Sequence, residues 1–380
     1  MIITKSLTGG TCRQAGGCPL NLLMRLNTTS RIKALQKFIR PPLYGMLITN
    51  LLNVRYLSNF TGSSGFITMT PKKNFFFTDF RYITQVKKEV KGFKINEFKN
   101  QNESIKEFCR KAKLRTLGFE APYMPFSFYQ SLKKALSPTK LVPIDGLVES
   151  LRIVKDKKEM KKIKKAISIL EDGLKGIVGK IREGVSEKDI VFEFEYQLRR
   201  LGAQKLSFDL IVASGKRSAL PHGIASNKKI SKGDLVVVDF GCCYEGYHSD
   251  VTRTFSIGKP GKREEKIYKI VKKAQSIAIE MINPGVTCGE IDAAAKDYIK
   301  EQGFEKYFGH ATGHGVGLDV HEDPRIIKRV NEKIREGMVF TIEPGIYIPK
   351  LGGVRIEDMV YVTESGCEVL TKNIPDVFEI

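Results

Sequence analysis

The most regular pattern of apolar positions lies in the segment LRIVKDKKEMKKIKKAISILEDGLKGIVGKI. Its apolar residues recur at steps of three and four: Met160, Ile163, Ile167, Leu170, Leu174 and Ile177. This spacing is typical of one face of an amphipathic helix of about five turns. The opposite face is rich in lysine and is expected to be solvated. We predict a long helix here and a domain boundary just before it, near residue 150.

Strand and helix patterns alternate on both sides of this boundary. Between residues 43 and 98, the β-rich runs YGMLIT, GFITMT, NFFFTDF and FKINEF are separated by turn signals such as TGSSG and PKK. After residue 150, the order helix, helix, strands occurs twice. This order predicts two similar halves within an α+β domain, in which helices cover one face of a curved, mostly antiparallel sheet.

Three parts of the chain are predicted from these patterns. Residues 1–23 are polar and rich in glycine and have no apolar core, so we expect a disordered or foreign leader rather than a signal peptide. Residues 24–150 are predicted to form a small α/β domain. Residues 151–380 are predicted to form the larger, α+β domain.

Composition excludes several classes of protein. No run approaches the roughly 20 apolar residues that a membrane helix needs. The seven cysteines are odd in number and contain no CxxC pair, which argues against a disulfide framework or a zinc–thiolate site. A reduced, cytoplasmic setting is expected. The adjacent Cys242 and Cys243 are expected to be buried as small apolar residues.

The net charge of +21 is concentrated in the first part of the chain. Residues 1–155 hold 26 Lys and Arg against 8 Asp and Glu, which gives +18. No known nucleic-acid motif accompanies these lysines, so we expect a solvated surface and no nucleic-acid partner. The alternative is a basic surface that attracts the carboxylate of a substrate.

Three of the five histidines lie in the stretch HATGHGVGLDVHE, residues 310–322. His310 and His314 have the spacing of a helical zinc motif, but glycines alternate through the segment at positions 309, 313, 315 and 317. Each glycine costs a helix about 1 kcal/mol. A loop or irregular strand with close backbone approach is predicted instead, so the three histidines are expected to have separate roles.

Four acidic residues lie within apolar, β-rich runs: Asp239, Asp250, Glu343 and Glu357. A hairpin with a short loop would place Asp239 and Asp250 side by side on one face of a sheet. Each of these residues alone would more often form a structural ion pair. Four such carboxylates together with one imidazole instead favour a site for divalent Mn, Fe, Co or Zn.

Five motifs carry a resemblance to a known family: LPHG (residues 220–223), DFG and GYHSDVTRTF, HATGHGVGLDVHE, TIEPGIY, and GVRIED. They resemble the metallopeptidases with the pita-bread fold, and within them the proline-specific branch of aminopeptidase P and prolidase. The motifs cover about residues 155–380. NVRYLSNFTGSSG and TDFRY are similar to the smaller N-terminal, creatinase-like domain of that branch.

The resemblance implies a set of site residues. The metal ligands would be Asp239, Asp250, His314, Glu343 and Glu357, with Asp250 and Glu357 bridging two ions. The residues expected on the substrate side are His222, His310, His321 and Arg355. Tyr347 is expected to support these residues, and His248 is expected to be structural.

By the same resemblance, two divalent ions are expected, with Mn²⁺ ahead of Co²⁺, Zn²⁺ and Fe²⁺. The predicted reaction is hydrolysis of the Xaa-Pro bond at the N-terminus of peptides, as in aminopeptidase P, by a hydroxide held between the ions. Glu343 would carry the proton to the leaving nitrogen. The expected partners are peptides with proline in the second position and a second copy of the chain, without a membrane.

Four alternatives remain open from the sequence. The first is a prolidase that accepts dipeptides only. The others are a metal-free hydrolase of the creatinase type, a non-catalytic binding protein of the same fold, and a methionyl aminopeptidase. The complete ligand set argues against the metal-free hydrolase and the binding protein, and the N-terminal domain argues against the methionyl aminopeptidase.

Overall fold

The computed structural model describes residues 28–380. Within that range the chain divides into one unit that ends at Arg152 and a second that spans Ile153–Ile380. The predicted leader, residues 1–23, lies outside the described residues. No helix of the described chain is long and apolar enough to cross a membrane.

A six-stranded mixed sheet forms the centre of the first unit. Its strands are β1 (Met46–Ile48), β2 (Phe66–Met69), β3 (Asn74–Thr78), β4 (Lys94–Glu97), β5 (Thr116–Glu120) and β6 (Lys140–Ile144). They lie in the order β4-β3-β2-β1-β5-β6. The pairs β1–β2 and β2–β3 are antiparallel, and the remaining pairs are parallel.

Within residues 28–152, six α-helices accompany this sheet: α1 (Thr28–Gln36), α2 (Leu51–Ser58), α3 (Ile83–Glu89), α4 (Gln101–Lys111), α5 (Phe126–Ala135) and α6 (Glu149–Arg152). Apolar residues of the sheet pack against α4 and α5, where Ile105 and Leu132 are fully buried. The four β-rich runs of the sequence predicted β1 to β4. The sequence patterns missed α1 to α3 because such short helices show no clear period.

The second unit contains the four long helices that were predicted. They are α7 (Lys157–Ile177), α8 (Glu187–Arg200), α9 (Lys262–Glu280) and α10 (Cys288–Glu301). All six apolar residues of the α7 pattern are buried. A capping box of Asp156 and Glu159 begins α7, and one of Thr287 and Glu290 begins α10. Each box satisfies backbone N–H groups that the first turn leaves without partners.

Thirteen strands follow the helices in two groups. They are β7 (Lys205–Leu206), β8 (Ile211–Ser214), β9 (Leu235–Phe240), β10 (Cys242–Tyr244), β11 (Tyr247–His248), β12 (Val251–Ser256), β13 (Gly313–Gly315), β14 (Glu322–Ile326), β15 (Val339–Ile342), β16 (Gly345–Ile348), β17 (Gly352–Arg355), β18 (Asp358–Thr363) and β19 (Gly366–Val369). The first half contains the sheets β12-β9-β8 and β11-β10-β7. The second contains β14-β13-β15-β18-β19 and the pair β16-β17. All these pairs are antiparallel, so each half repeats two helices followed by antiparallel strands.

The short hairpin loop predicted between Asp239 and Asp250 is wrong. β9 does pair with β12, and Thr252 is the residue opposite Asp239. Between them, however, β10 and β11 form a separate hairpin, and β10 pairs with β7 in another sheet. Gly241 permits this departure, since a Cβ there would lie 2.5 Å from the carbonyl oxygen of Ser249. Asp250 therefore lies diagonally from Asp239, one residue before β12 begins.

The glycines of the histidine-rich stretch explain why that stretch is extended. A Cβ on Gly313 would lie 1.9 Å from the carbonyl oxygen of Thr341 in β15, and one on Gly315 would lie 2.2 Å from that of Asp323. The predicted close approach of backbones is thus found at these two positions. At Gly309, by contrast, a Cβ would have no neighbour within 4 Å.

This difference provides a matched pair of variants. Gly313→Ala should lower the free energy of unfolding by about 3 kcal/mol or more, because backbone atoms of β15 cannot move away without breaking strand pairing. Gly309→Ala should change it by less than about 0.5 kcal/mol. Urea denaturation followed by circular dichroism measures both. Equal midpoints for the two variants would contradict the close packing of β13 on β15.

Candidate metal centre

The four predicted acidic residues come from four different places in the second unit. Asp239 lies within β9, whereas Asp250 precedes β12, Glu343 follows β15 and Glu357 lies between β17 and β18. The prediction that all four lie inside strands is therefore wrong for three of them. Side chains at strand ends need not alternate between the two faces of a sheet. Their carboxylates can therefore turn toward a common point.

That common point gathers the predicted ligands. Three sets of ligand atoms each lie within 4.8 Å of one another: Asp239, Asp250 and Glu357; His314, Glu343 and Glu357; and Asp250, His314 and His321. Asp250 and Glu357 each belong to two of these sets. This sharing is the arrangement that a pair of neighbouring cations would require. It also brings His321, which was predicted on the substrate side, as close as the predicted ligands.

His314 is oriented by its own backbone neighbourhood. Its Nδ1 lies 3.1 Å from the carbonyl oxygen of Gly315, so that nitrogen carries the proton and donates. Its Nε2 is then left with a lone pair. That nitrogen lies 3.5 Å from Asp250 Oδ2 and 3.4 Å from Glu343 Oε1. Burial lowers the pKa of His314, so the ring is neutral and three acceptor atoms face one another.

The carboxylates themselves are held in an unfavourable electrostatic environment. Burial, followed by the charges of Glu357, Asp239 and Glu343, raises the pKa of Asp250 well above its ordinary value. Burial together with Glu343 and Asp239 does the same for the pKa of Glu357. Burial also raises the pKa of Glu343. Protons or cations are needed to bring these groups together.

The chemistry of the donor set fits a pair of divalent cations. Asp239 Oδ1 is buried and has no hydrogen-bond partner among the described residues. Buried carboxylate oxygens without partners are costly, and a metal ion is one of the few groups that can satisfy them. Oxygen ligands with one imidazole and no thiolate suit Mn²⁺, Fe²⁺, Co²⁺ or Zn²⁺ rather than a structural zinc site.

Arg355 is the cation that the structure itself supplies to this cluster. Its Nη2 donates to Asp239 Oδ2 at 2.7 Å and its Nε to Thr252 Oγ1 at 3.0 Å. Its Nη1 donates to the Tyr347 hydroxyl at 2.9 Å and to the carbonyl oxygen of Pro221 at 3.0 Å. Four acceptors thus fix one guanidinium group beside the carboxylates. β17 ends at Arg355 and β18 begins at Asp358, so Glu357 lies in the short connection between these two strands.

His310 joins this network through Tyr347. His310 Nδ1 lies 2.7 Å from the carbonyl oxygen of Ala311, so it donates there, and Nε2 accepts from the Tyr347 hydroxyl at 3.1 Å. Burial lowers the pKa of His310, which favours this neutral form. Tyr347 accepts from Arg355 and donates to His310, as the predicted supporting role requires.

Two of the three remaining histidines are more open to solvent. His321 is exposed, and its ring centroid lies 4.3 Å from that of His314. Partial burial and the nearby His314 lower the pKa of His321 to about 4. His222 is exposed on a loop between the exposed side chains of Leu220 and Ile224. Both imidazoles are thus placed where they can meet a ligand from solvent.

Two threonines hold the ligand side chains and were not found from the sequence. Thr252 Oγ1 donates to Glu357 Oε2 at 2.8 Å. Thr341 Oγ1 accepts from the backbone N–H of His314 at 3.1 Å and lies 3.4 Å from Glu343 Oε1. The sequence contained one clue to Thr341: it precedes the predicted ligand Glu343 by two residues in the run VFTIE. His248 lies apart, with its Nδ1 3.0 Å from Ser207 Oγ, as a structural role requires.

The raised carboxyl pKa values predict how stability depends on pH without metal. A carboxyl group with a raised folded pKa stabilises the fold at low pH, and this stabilisation is lost as the pH rises through that pKa. Above about pH 7.5 the histidines are neutral in both the folded and the unfolded state, so the carboxyl groups dominate the pH dependence of this centre. The Tm of EDTA-treated protein should fall by about 5 °C or more between pH 7.5 and 9, relative to Mn²⁺-saturated protein.

Differential scanning fluorimetry at several pH values measures this loss. Glu357→Gln removes one charge from the cluster and should flatten the slope of the metal-free protein. An exposed change in the same unit, Glu368→Gln, should leave the slope as in the parent protein. If the metal-free parent and Glu357→Gln gave the same slope, the repulsion inferred at this centre would be refuted.

Comparison with known proteins places this geometry in a family. Residues 161–364 match metallopeptidase family M24, and residues 31–154 match the creatinase/prolidase N-terminal domain. The chain is 41% identical over 329 residues to the Xaa-Pro dipeptidase of Pyrococcus horikoshii, which covers 86% of this chain and 92% of that protein.

Solved structures agree with these matches. The Xaa-Pro dipeptidase from Bacillus anthracis has a TM-score of 0.90 and 42% identity, covering 93% of this chain and 100% of that one. The X-Pro aminopeptidase from Thermotoga maritima has a TM-score of 0.84 and 38% identity, covering 91% of this chain and 100% of that one. The resemblance and the fold class predicted from the motifs are thereby confirmed. This chain belongs to the metallopeptidase family M24 and is a hydrolase.

Proposed function

We propose that this chain is an Xaa-Pro dipeptidase, a prolidase, which hydrolyses dipeptides whose second residue is proline. The observation that carries the proposal is its similarity over nearly full length to the two Xaa-Pro dipeptidases of Pyrococcus horikoshii and Bacillus anthracis. The comparisons thus favour the prolidase alternative over the main prediction of aminopeptidase P. Aminopeptidase P remains the second candidate, supported by the Thermotoga maritima structure.

We propose that two divalent cations are held by Asp239, Asp250, His314, Glu343 and Glu357. Support comes from the shared ligand sets, the lone pair on His314 Nε2 and the unpartnered Asp239 Oδ1. The chemistry that such ions supply when bound is Lewis acidity, which lowers the pKa of a water molecule and polarises a carbonyl group. Asp250, His314 and Glu357 belong to two sets each, and of these Asp250 and Glu357 have two carboxylate oxygens, so they would be able to hold both ions.

Glu343 is the proposed carrier of the proton. Its pKa is raised by burial, and Thr341 Oγ1 lies 3.4 Å from Oε1 to steady the carboxyl group. A carboxyl group with a raised pKa can take a proton from attacking water and later deliver it to the leaving nitrogen. That delivery matters for an Xaa-Pro bond, since its amide nitrogen carries no hydrogen.

His321, His310 and His222 are proposed to act on the substrate side. With a pKa of about 4, His321 is neutral near pH 7 and can donate a hydrogen bond to the oxyanion that develops on the substrate carbonyl. Burial lowers the pKa of His310 and keeps it neutral, and hydrogen bonds with Ala311 and Tyr347 fix the orientation of its ring. Arg355 keeps a fixed positive charge beside Asp239 and anchors the loop of His222 through Pro221.

Several finer predictions stay predictions. Mn²⁺ is the ion that we propose, with Co²⁺, Zn²⁺ and Fe²⁺ as alternatives suited to the same donors. A homodimer and a cytoplasmic location are expected from the sequence and its resemblance. The basic character of residues 1–155 is consistent with an attraction for the carboxylate of a peptide substrate.

A pair of substrates separates prolidase from aminopeptidase P. The protein reconstituted with Mn²⁺ should hydrolyse an Xaa-Pro dipeptide with a kcat/KM at least about 100-fold above that for a pentapeptide with the same first two residues. The physical reason is exclusion of chain beyond the proline from the site. Mass spectrometry of the released first residue measures both rates. A pentapeptide hydrolysed as fast as the dipeptide would contradict the dipeptidase assignment and favour aminopeptidase P.

Removal of a ligand tests the proposed metal set. His314→Ala or Glu357→Ala should abolish stable binding of metal and lower kcat by about 1000-fold or more, since each residue belongs to two of the ligand sets. Inductively coupled plasma mass spectrometry after gel filtration measures the bound metal, and circular dichroism checks the fold.

His248→Ala is the matched control for the imidazole, because His248 is buried, lies beside Ser207 and belongs to none of the three ligand sets. Glu368→Ala serves the same purpose for the carboxylate. Both controls should retain two metal ions per chain. Wild-type turnover in either ligand variant would show that the ligand set is wrong.

A further inference from the structure

Glu187 is a fully buried carboxylate outside the metal centre. It is the first residue of α8 and has 0% exposed surface. Its Oε1 accepts hydrogen bonds from the backbone N–H of Ser214 at 2.8 Å and from its hydroxyl at 2.9 Å. Its Oε2 accepts from Ser226 N at 2.9 Å, Ser226 Oγ at 2.8 Å and Arg217 Nε at 3.1 Å. Five donors from three residues therefore converge on one side chain.

All three residues belong to a single loop, residues 214–226, which we call the His222 loop. Ser214 ends β8 and is the first residue of the loop, and Ser226 is the last. Inside it, Arg217 Nη2 donates to the carbonyl oxygen of Ile224. Glu187 thus joins the two ends of the loop and, through Arg217, its interior. A loop closed in this way has far fewer conformations than one held by its flanking elements alone.

The His222 loop in turn reaches the metal centre. The carbonyl oxygen of Pro221 accepts from Arg355 Nη1, and Arg355 Nη2 binds Asp239. Ser218 Oγ accepts from the backbone N–H of Gly353 in β17 at 2.8 Å. A shift of the loop would therefore move His222 and withdraw one of the four acceptors that orient Arg355. It would leave the five proposed metal ligands in place, since none of them lies on the loop.

We propose that Glu187 is a positioning residue for catalysis: by binding both ends of the His222 loop, it holds His222 and the Pro221 carbonyl group where substrate and Arg355 require them. This inference rests on the proposed function insofar as the loop faces a peptide substrate. The ordering of the loop by Glu187 does not depend on the substrate, because the same hydrogen bonds hold the loop whichever peptide is bound.

Glu187 can hold the His222 loop because its side chain is charged and contains only hydrogen-bond acceptors. A carboxylate can accept all five hydrogen bonds, whereas an amide of the same shape must turn an NH₂ group toward N–H donors. Although burial opposes ionisation, the hydrogen bonds from Ser226 and Ser214 keep the pKa of Glu187 below its ordinary value. Glu187→Gln therefore leaves the volume of the side chain nearly unchanged. However, its NH₂ group would face the N–H donors at one end of the loop, where Glu187 offers an acceptor.

The experiment compares Glu187→Gln with Glu193→Gln in the protein loaded with Mn²⁺. Glu193 lies on the same helix, but its carboxylate pairs with Lys180 at the surface. In Glu187→Gln we expect amide hydrogen exchange across residues 214–226 to rise about tenfold or more, and KM for an Xaa-Pro dipeptide to rise about 10- to 100-fold. The dissociation constant of Mn²⁺ should change by less than about twofold. Glu193→Gln should match the parent protein in all three measurements.

A second variant keeps the test decisive if Glu187→Gln does not fold. Arg217→Met removes the partly exposed donor to Glu187 and to Ile224 but leaves both serines bound, so exchange and KM should rise by about fivefold. Unchanged exchange and unchanged KM in a folded variant would overturn the inference. A loss of Mn²⁺ affinity as large as the rise in KM would overturn the inference as well, because the substitution would then disturb the whole second unit rather than the loop.

Failure of the proposed function has a different signature. If the parent protein hydrolyses no Xaa-Pro peptide, the exchange measurement still decides whether Glu187 orders the loop. Increased exchange in Glu187→Gln without peptidase activity in the parent would sink the dipeptidase proposal and leave the ordering of the loop supported.

Discussion

The mutual repulsion of buried carboxylates is the constraint on which the second unit depends. Asp250, Glu343 and Glu357 have raised pKa values because they are buried together. Of the four carboxylates, Asp239 is the one that accepts a hydrogen bond from Arg355. Such a cluster lowers the stability of the chain without cations, and the attraction of the carboxylates for bound cations would outweigh their repulsion for one another. The surrounding fold must therefore be stiff enough to hold like charges together before any ion arrives.

That stiffness comes from the seam between the two halves of the unit. Thr252 and Thr254 alternate along β12 and so point to one side, toward the chain at residues 355–357. Thr252 accepts at its carbonyl oxygen from Glu357 N, and Thr254 Oγ1 both accepts from Arg355 N and donates to Arg355 O. The first half supplies Asp239 and Asp250, and the second supplies the other three proposed ligands. Hydrogen bonds across the seam thus set the spacing of the charges.

The sequence predicts those features that depend on short-range pattern. The period of α7, the buried run of β9 and the glycines that force an extended backbone around His314 all follow from local chemistry, and the structure contains each of them. The sequence could not predict that three of the four acidic residues lie just outside strands. The residue at which a strand ends depends on pairing partners that are distant in the chain. The departure of β10 and β11 was missed for the same reason, since pairing with β7 has no local signal.

Buried carboxylates on helices show most clearly why motifs alone do not define such a site. Asp292 on α10 is fully buried and accepts from Thr312 N, Thr312 Oγ1 and Lys328 N, which fixes the chain between His310 and His314. Glu187 on α8 does the same for the loop of His222. The two halves thus fasten their histidine segments by one physical means, although Glu187 is the first residue of its helix and Asp292 the fifth. What the two carboxylates share is that several N–H and O–H donors bind each of them. This feature does not depend on a fixed position in the sequence, so it becomes visible only in the folded chain.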